Sequence, residues 1–163
     1  MLIAVISDTH LPRGTRRLPE ACIERIRAAD LLLHSGDFST VEVLRELEAI
    51  GPPVLGVQGN VDSAELRRLL PKERVVEAGG ARIAMLHDAG ASSGRMARMR
   101  ARFGERAEVV VFGHSHMPLH EQADDGFQLF NPGSPTERRR APRHTMGLIH
   151  AEPGLPRCEL VDA

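Results

Sequence analysis

An α/β fold with mixed sheets is what this sequence predicts, on three observations. The first half alternates short apolar runs with amphipathic stretches, the pattern of parallel βαβ units. From residue 117 onward the pattern changes to short strand-like segments with turns at Asp125-Gly126, Pro132-Gly133 and Pro153-Gly154, as in antiparallel hairpins. The 163 residues, 42% hydrophobic and 26% charged with a net charge of -1, suit one domain over 1–163 with a core large enough to fold alone.

The run LIAVIS (2–7) reads as a buried strand. After Pro19, the residues Cys22, Ile23, Ile26 and Ala29 make a helical stripe. LLLHSG (31–36) is the next strand. Ser39 followed three residues later by Glu42 reads as a capping box, and Leu44, Leu47 and Ile50 carry that helix to its stop at Gly51-Pro52. PVLGVQG (53–59) is a third strand, followed by a short helix over 64–70, for which Asp62, with Glu65 beyond it, is the expected N-cap. RIAMLH (82–87) and VVVFG (109–113) are strands flanking a helix that carries Met96, Met99 and Phe103 on one side. Arg95, Arg98 and Arg102 fall on a different face, expected to be its solvated side.

Composition excludes several classes. A net charge of -1 gives no electrostatic drive toward nucleic acid, and with no Trp, no Tyr and five Phe there is little on which bases could stack. Two cysteines, Cys22 and Cys158, make neither a disulfide framework nor a zinc ribbon, and read as small buried side chains. No run approaches the ~20 apolar residues of a membrane span, and Asp8 comes too early for a signal peptide, so a cytoplasmic protein is expected. A homo-oligomer is left open. The charge run Glu137-Arg138-Arg139-Arg140 reads as a solvated turn.

The informative feature is the set of polar residues at the ends of the apolar runs. LIAVIS leads into Asp8-Thr9-His10, LLLHSG into Asp37, VLGVQG into Asn60, IAML into His87, and VVVFG into His114-Ser115-His116. Ligands bind outside the carboxyl ends of strands in open α/β sheets, so five strands deliver seven Asp, Asn and His side chains to one edge. Singly, each is an ordinary turn former or cap. Together they outnumber the three or four side chains that one zinc ion takes, and they suit two ions if Asp37 bridges. Mixed imidazole, carboxylate and amide donors favour Mn, Fe, Zn, Ni or Co over Mg or Ca. Two such ions ~3.5 to 4 Å apart generate hydroxide near neutral pH and clamp a phosphoryl group.

These residues carry a resemblance. Asp8-Thr9-His10, Gly36-Asp37, Gly59-Asn60-Val61-Asp62, His87 and Gly113-His114-Ser115-His116, in this order, resemble the calcineurin-like metallophosphoesterase superfamily. Asn131-Pro132-Gly133-Ser134 resembles the segment after Gly-His-x-His in its small single-domain bacterial and archaeal phosphodiesterases, a branch that shares its fold with the retromer subunit. The resemblance implies a four-layer α/β/β/α sandwich of two mixed sheets. It also implies that Asp8, His10 and His116 bind one metal, that Asn60, His87 and His114 bind the other, and that Asp37 bridges them. Asp37, Asn60 and His114 are taken as the catalytic residues. His34 either orients a ligand from behind or is a core histidine.

The expected activity is hydrolysis of a small phosphodiester by a metal-bridging hydroxide, with no nucleic acid or membrane partner and with manganese first among the metals. Two departures from the family pattern bear on it. Many members have a histidine, thought to protonate the leaving group, where this chain has Val61, and His87-Asp88-Ala89 stands where the branch often has His-Gly-His. The leaving group is then expected to take its proton from water, with Asp88 the side chain to suspect otherwise. Arg13, just past His10, is the candidate phosphate clamp. The alternative is a non-catalytic interaction scaffold with weak or vestigial metal binding. His120, His144 and His150 match no ligand spacing.

Overall fold

In the computed structural model, which describes residues 1–154 and 156–163, ten strands form two five-stranded mixed sheets. The first sheet is built on β1 (Leu2–Ile6), β2 (Leu31–His34) and β3 (Val54–Gly56), which are parallel, Ile3 lying beside Leu31 and Leu32 beside Val54. The antiparallel strands β9 (Thr145–His150) and β10 (Arg157–Asp162) extend it beyond β1. In the second sheet, β5 (Ala81–Leu86), β6 (Val109–Val111) and β8 (Gln128–Asn131) are parallel. Antiparallel β4 (Glu73–Ala78) and β7 (Leu119–Gln122) close its two edges.

Side-chain alternation along the strands stacks the layers. Ile3 and Val5 of β1 face Ile83, Met85, Val109 and Val111 of the other sheet, and this is the central core. Ala4, Ile6 and Leu32 face outward onto Cys22 and Ile26 of α1 (Glu20–Ala28), Val43 and Leu47 of α2 (Val41–Glu48) and Leu66 of α3 (Ala64–Leu69). On the far side Ala84, Val110 and Leu129 carry Met99 and Phe103 of α4 (Arg95–Phe103). Helices, sheet, sheet and helix therefore form the four layers of an α/β/β/α sandwich. Strands covered on both faces must be apolar throughout, which is why 2–6 and 109–111 read as unbroken apolar runs.

Three local expectations are corrected. Asp62 does not cap α3: Ser63 does, its side chain accepting from Leu66 N at 3.2 Å. The Asp62 carboxylate, 3% exposed, instead accepts from Ser39 N at 2.8 Å and Gly59 N at 2.6 Å, tying two loops together. The N-cap of α2 is Thr40 without a side-chain bond, because Ser39 sits one residue earlier on a left-handed backbone (φ 102°) where its own N–H is taken by Asp62. Arg95 and Arg98 do not simply face water. Arg95 donates to Gly90 O at 2.9 Å, and Arg98 donates to Ser93 O at 2.6 Å and Ala89 O at 3.2 Å, bracing the loop behind His87.

Candidate metal centre

The loops that leave β1, β2, β3, β5 and β6 converge where the two sheets meet, so the seven donors come from the ends of strands in both sheets. Two groups close enough to hold a metal ion result, Asp8–His10–His116 and Asp8–Asp37–His87. In the first, His10 Nε2 and His116 Nε2 stand 3.2 Å apart, and Asp8 Oδ1 lies 3.3 Å from His116 Nε2 and 3.9 Å from His10 Nε2. Asp37 Oδ2 lies 3.6 Å from His10 Nε2 and 3.3 Å from His87 Nε2, between the two halves. Asn60 Oδ1 completes the second half, 3.0 Å from His87 Nε2 and 3.0 Å from His114 Nδ1. The first half is buried, whereas Asn60 and His114 open to solvent.

The other ring nitrogen decides what each histidine presents. His87 Nδ1 donates to Ser35 O at 2.8 Å and His116 Nδ1 donates to Glu137 O, so each directs its Nε2 into the site. Asp8 Oδ2 accepts from Ser7 Oγ at 2.6 Å and His114 N at 3.0 Å. Asp8 Oδ1, fully buried, has no hydrogen-bond partner among the described residues. A buried carboxylate oxygen without a donor is costly, and a cation held among Asp8, His10 and His116 removes that penalty. The donor set fits a divalent transition metal by chemistry as well.

Backbone strain marks the same place. Asp8, His10, Asp37, His114 and His116 all have φ between 46° and 65°, in the left-handed region that non-glycine residues seldom occupy. The glycines beside them have a packing reason: a Cβ on Gly36 would meet His87 Nδ1 at 2.7 Å, one on Gly59 would strike the Asp37 carboxylate, and one on Gly113 would strike Ser7 and Asp8. The sequence showed these glycines; it did not show the strained φ angles.

Electrostatics depend on burial and pairing. Burial pushes the Asp8 carboxyl up to about 6, against the pull of His87 and the Ser7 hydroxyl. Burial would raise Asp37 too, but the hydrogen bond and charge of His87, with the Val61 N–H at 2.9 Å, outweigh it and hold Asp37 at about 2. The reciprocal contacts raise His87 despite its burial. Burial lowers His116 to about 4 and also lowers His10.

His34 has features of both readings left open, a buried core side chain that also braces two donor loops. It is fully buried and stacks on Phe38 with ring centroids 3.5 Å apart. It accepts from Gly36 N at 3.2 Å and meets Thr9 Oγ1 at 3.1 Å, bracing the backbones that carry Asp37 and Asp8. Val61 is 45% exposed at the rim. Asp88, also exposed, lies 4.0 Å from His114 Nε2. Arg13 is mostly exposed, with its guanidinium 3.5 Å from Glu137.

Glu137 is the residue that sequence reasoning missed. Expected in a solvated turn, it is held at the buried end of the site, its Oε2 3.9 Å from His10 Nε2 and 3.1 Å from Arg16. Its backbone carbonyl accepts a hydrogen bond from His116 Nδ1. The segment leading to it is fastened to the Asp8 loop, with Ser134 Oγ donating to Asp8 O at 2.8 Å and Thr136 Oγ1 to Thr9 O at 2.6 Å. Ser134 Oγ in turn accepts from Glu137 N at 2.8 Å. A run of four charged residues carries no sequence signal for this placement.

An α/β/β/α sandwich with Asp, Asn and His donors on the loops at its strand ends defines a metallophosphoesterase-type protein. The chain belongs to the calcineurin-like phosphoesterase superfamily, whose domain matches residues 1–154. It is 38% identical over 140 residues to a probable metallophosphoesterase of Methanothermobacter thermautotrophicus, covering 85% of this chain and 80% of that one. It is 25% identical over 146 residues to a phosphodiesterase of Methanocaldococcus jannaschii, covering 82% and 83%. The zinc-complexed Vps29 structure from Entamoeba histolytica superposes with a TM-score of 0.77 at 22% identity over 99% of both chains, which shows the shared fold.

Proposed function

We propose that this protein is a phosphodiesterase that works with two divalent transition-metal ions, manganese first among the candidates. Asp8, His10, Asp37 and His116 would hold one ion, and Asp37, Asn60, His87 and His114 the other. The observation that carries this reading is the inward-facing donor set: His10 Nε2 and His116 Nε2 at 3.2 Å beside the partnerless Asp8 Oδ1, with Asp37 Oδ2 between His10 and His87. When bound, such ions supply Lewis acidity toward the phosphoryl oxygens and a hydroxide nucleophile at neutral pH.

The chain's own contribution is positioning. Ser35 O and Glu137 O fix the tautomers of His87 and His116, and the hydrogen bonds to Asp8 Oδ2 leave its other oxygen aimed into the site. Exposed Asn60 and His114 mark the side from which a substrate enters. Val61 offers no proton where a side-chain acid would stand, so the departing oxygen is protonated by water. The phosphodiesterase of M. jannaschii supports a diester as the substrate class.

The likeness to Vps29, together with Val61, favours one second reading, a scaffold on the same fold without turnover. One experiment separates them: elemental analysis of the purified protein, with hydrolysis of bis(p-nitrophenyl) phosphate and of p-nitrophenyl phosphate with and without added manganese. Two equivalents of metal and metal-dependent release of p-nitrophenol from the diester are expected. Absence of turnover with both sites filled would leave the scaffold.

A further inference from the structure

A diester has one arm that departs and one that stays on the product, and the retained arm must lie somewhere beside the centre. On the His10–His116 side the buried segment 131–136 and Glu137 wall the site in. On the Asn60–His87 side the surface opens into a groove of about 370 Å³ that also meets Arg67, Lys72, Glu73 and Arg102. Three of those four side chains are cations, and two of the three are not neutralised by a carboxylate. Glu73 takes Arg102, at 2.5 Å. Arg67 donates to the neutral carbonyl of Asn60, and Lys72, the only lysine of the chain, is exposed and makes no ion pair among the described residues. Apart from the His87 imidazole, itself one of the seven donors, the groove's lining contains no aromatic ring on which a base could stack, and Leu86 is its one large aliphatic side chain, too little for an acyl chain.

We propose that this groove receives the retained arm of the substrate and that the arm ends in a second anionic group, a phosphate or carboxylate on a short hydrophilic chain. The proposal rests on the diesterase reading and names its substrate class. Lys72 and Arg67 attract the arm's charge, while Asp88, which lines the same groove 4.0 Å from His114 Nε2, disfavours a second anion beside His114. These cations face water, so the attraction is modest and weakens with salt. It acts on ground-state binding and is read in KM.

The test uses the manganese-loaded protein and three p-nitrophenyl phosphodiesters that share one leaving group. Their retained arms end in a phosphate, a hydroxyl and a trimethylammonium group. Expected is a kcat/KM for the phosphate arm about five-fold or more above that for the hydroxyl arm, with the ammonium arm poorest, carried by KM and compressed at high ionic strength. Lys72→Ala reduces the preference and Lys72→Glu reverses it, each read as the ratio of phosphate-arm to hydroxyl-arm kcat/KM within one variant. Hydrolysis of all three at equal kcat/KM, or a preference untouched by either Lys72 variant, overturns the arm assignment while the diesterase reading stands. Hydrolysis of none overturns that reading and this inference together.

Discussion

His10 and His116 stand 106 residues apart in the chain, yet their Nε2 atoms face one another at 3.2 Å. His116 Nδ1–H donates its hydrogen bond to Glu137 O, so in the neutral ring Nε2 meets His10 as an acceptor. An ion that binds the folded chain and not the unfolded one stabilises the fold, so occupancy of the centre should raise Tm. At a metal concentration about 100 times Kd each site adds about 2.7 kcal/mol, or about 5 to 10 °C in Tm for a chain of this size. Thermal unfolding after chelation and after reloading with manganese measures this, and an unmoved Tm would show that the facing imidazoles hold no ion.

Asp37 is the side chain shared by both halves, 3.6 Å from His10 Nε2 and 3.3 Å from His87 Nε2 through the same oxygen. Its other oxygen is fixed by Val61 N, so an amide at this position cannot rotate freely to substitute. Asp37→Asn should lower turnover at least about 100-fold and reduce bound metal below two equivalents. Steady-state kinetics with elemental analysis checks both; wild-type values for the two together would exclude a shared carboxylate.

Val61 lies on the solvent rim with its N–H on Asp37, where it can neither give nor accept a proton. General acid catalysis contributes roughly 10²- to 10⁴-fold, most for poor leaving groups. Aryl diesters should therefore turn over well and alkyl diesters slowly, with a steep dependence of log kcat on leaving-group pKa. A flat plot would point to a side-chain acid, and Asp88, 4.0 Å from His114 Nε2, is the residue to substitute next.

Much of the frame was legible because burial on both faces makes strands such as Leu2–Ile6 and Leu31–His34 unbroken apolar runs. The donors could be found because each comes directly after such a run, at or near the end of its strand. The edge strand Glu73–Ala78 carries no strand signal in the sequence, since Glu73, Val75 and Glu77 are not buried and the segment lacks a continuous apolar signature. Asp62 misled because its spacing to Glu65 imitates a cap, while its true partners are backbone N–H groups of two loops. The left-handed backbone at Asp8, His10, Asp37, His114 and His116 has no sequence signal, because it is imposed by long-range convergence.

His34 sets a pH dependence in the metal-free protein. Gly36 N–H donates to its Nδ1, so Nε2 carries the proton toward Thr9, and burial, helped by the charges of His87 and His10, lowers it to about 3. The unfolded chain takes up this proton near 6.5 and the folded one does not, so His34 contributes stability above 6.5 that is lost as pH falls toward 3. His116, lowered to about 4, acts in the same direction. Asp8, raised to about 6, opposes them: the fold binds its proton more tightly than the unfolded chain, which adds stability as pH falls from 6 to 3.8. Urea unfolding should show lower stability at pH 5 than at pH 7, a steeper fall in Asp8→Asn and a shallower one in His34→Gln. The reverse order of slopes would refute the neutral buried imidazole.

Glu137 couples the segment after the last donor to the first half of the centre. Its carboxylate lies 3.9 Å from His10 Nε2 and is gripped by Arg16 at 3.1 Å and Arg13 at 3.5 Å; against the opposing effect of burial, His10 and Arg16 hold it below the usual glutamate range. A fixed negative charge there favours a cation among Asp8, His10 and His116. Glu137→Gln keeps the shape, and the backbone carbonyl that orients His116, while removing the charge. It should weaken one of two manganese sites about 10- to 100-fold and leave the other unchanged, as measured by calorimetric titration without substrate. Asp162→Asn, which breaks the exposed pair with Arg143 at 2.9 Å, should alter neither. Equal affinities in wild type and Glu137→Gln would reduce Glu137 to a partner of the two arginines. Loss of both sites together would mean that its carboxylate supports the fold of the whole centre and not one half of it.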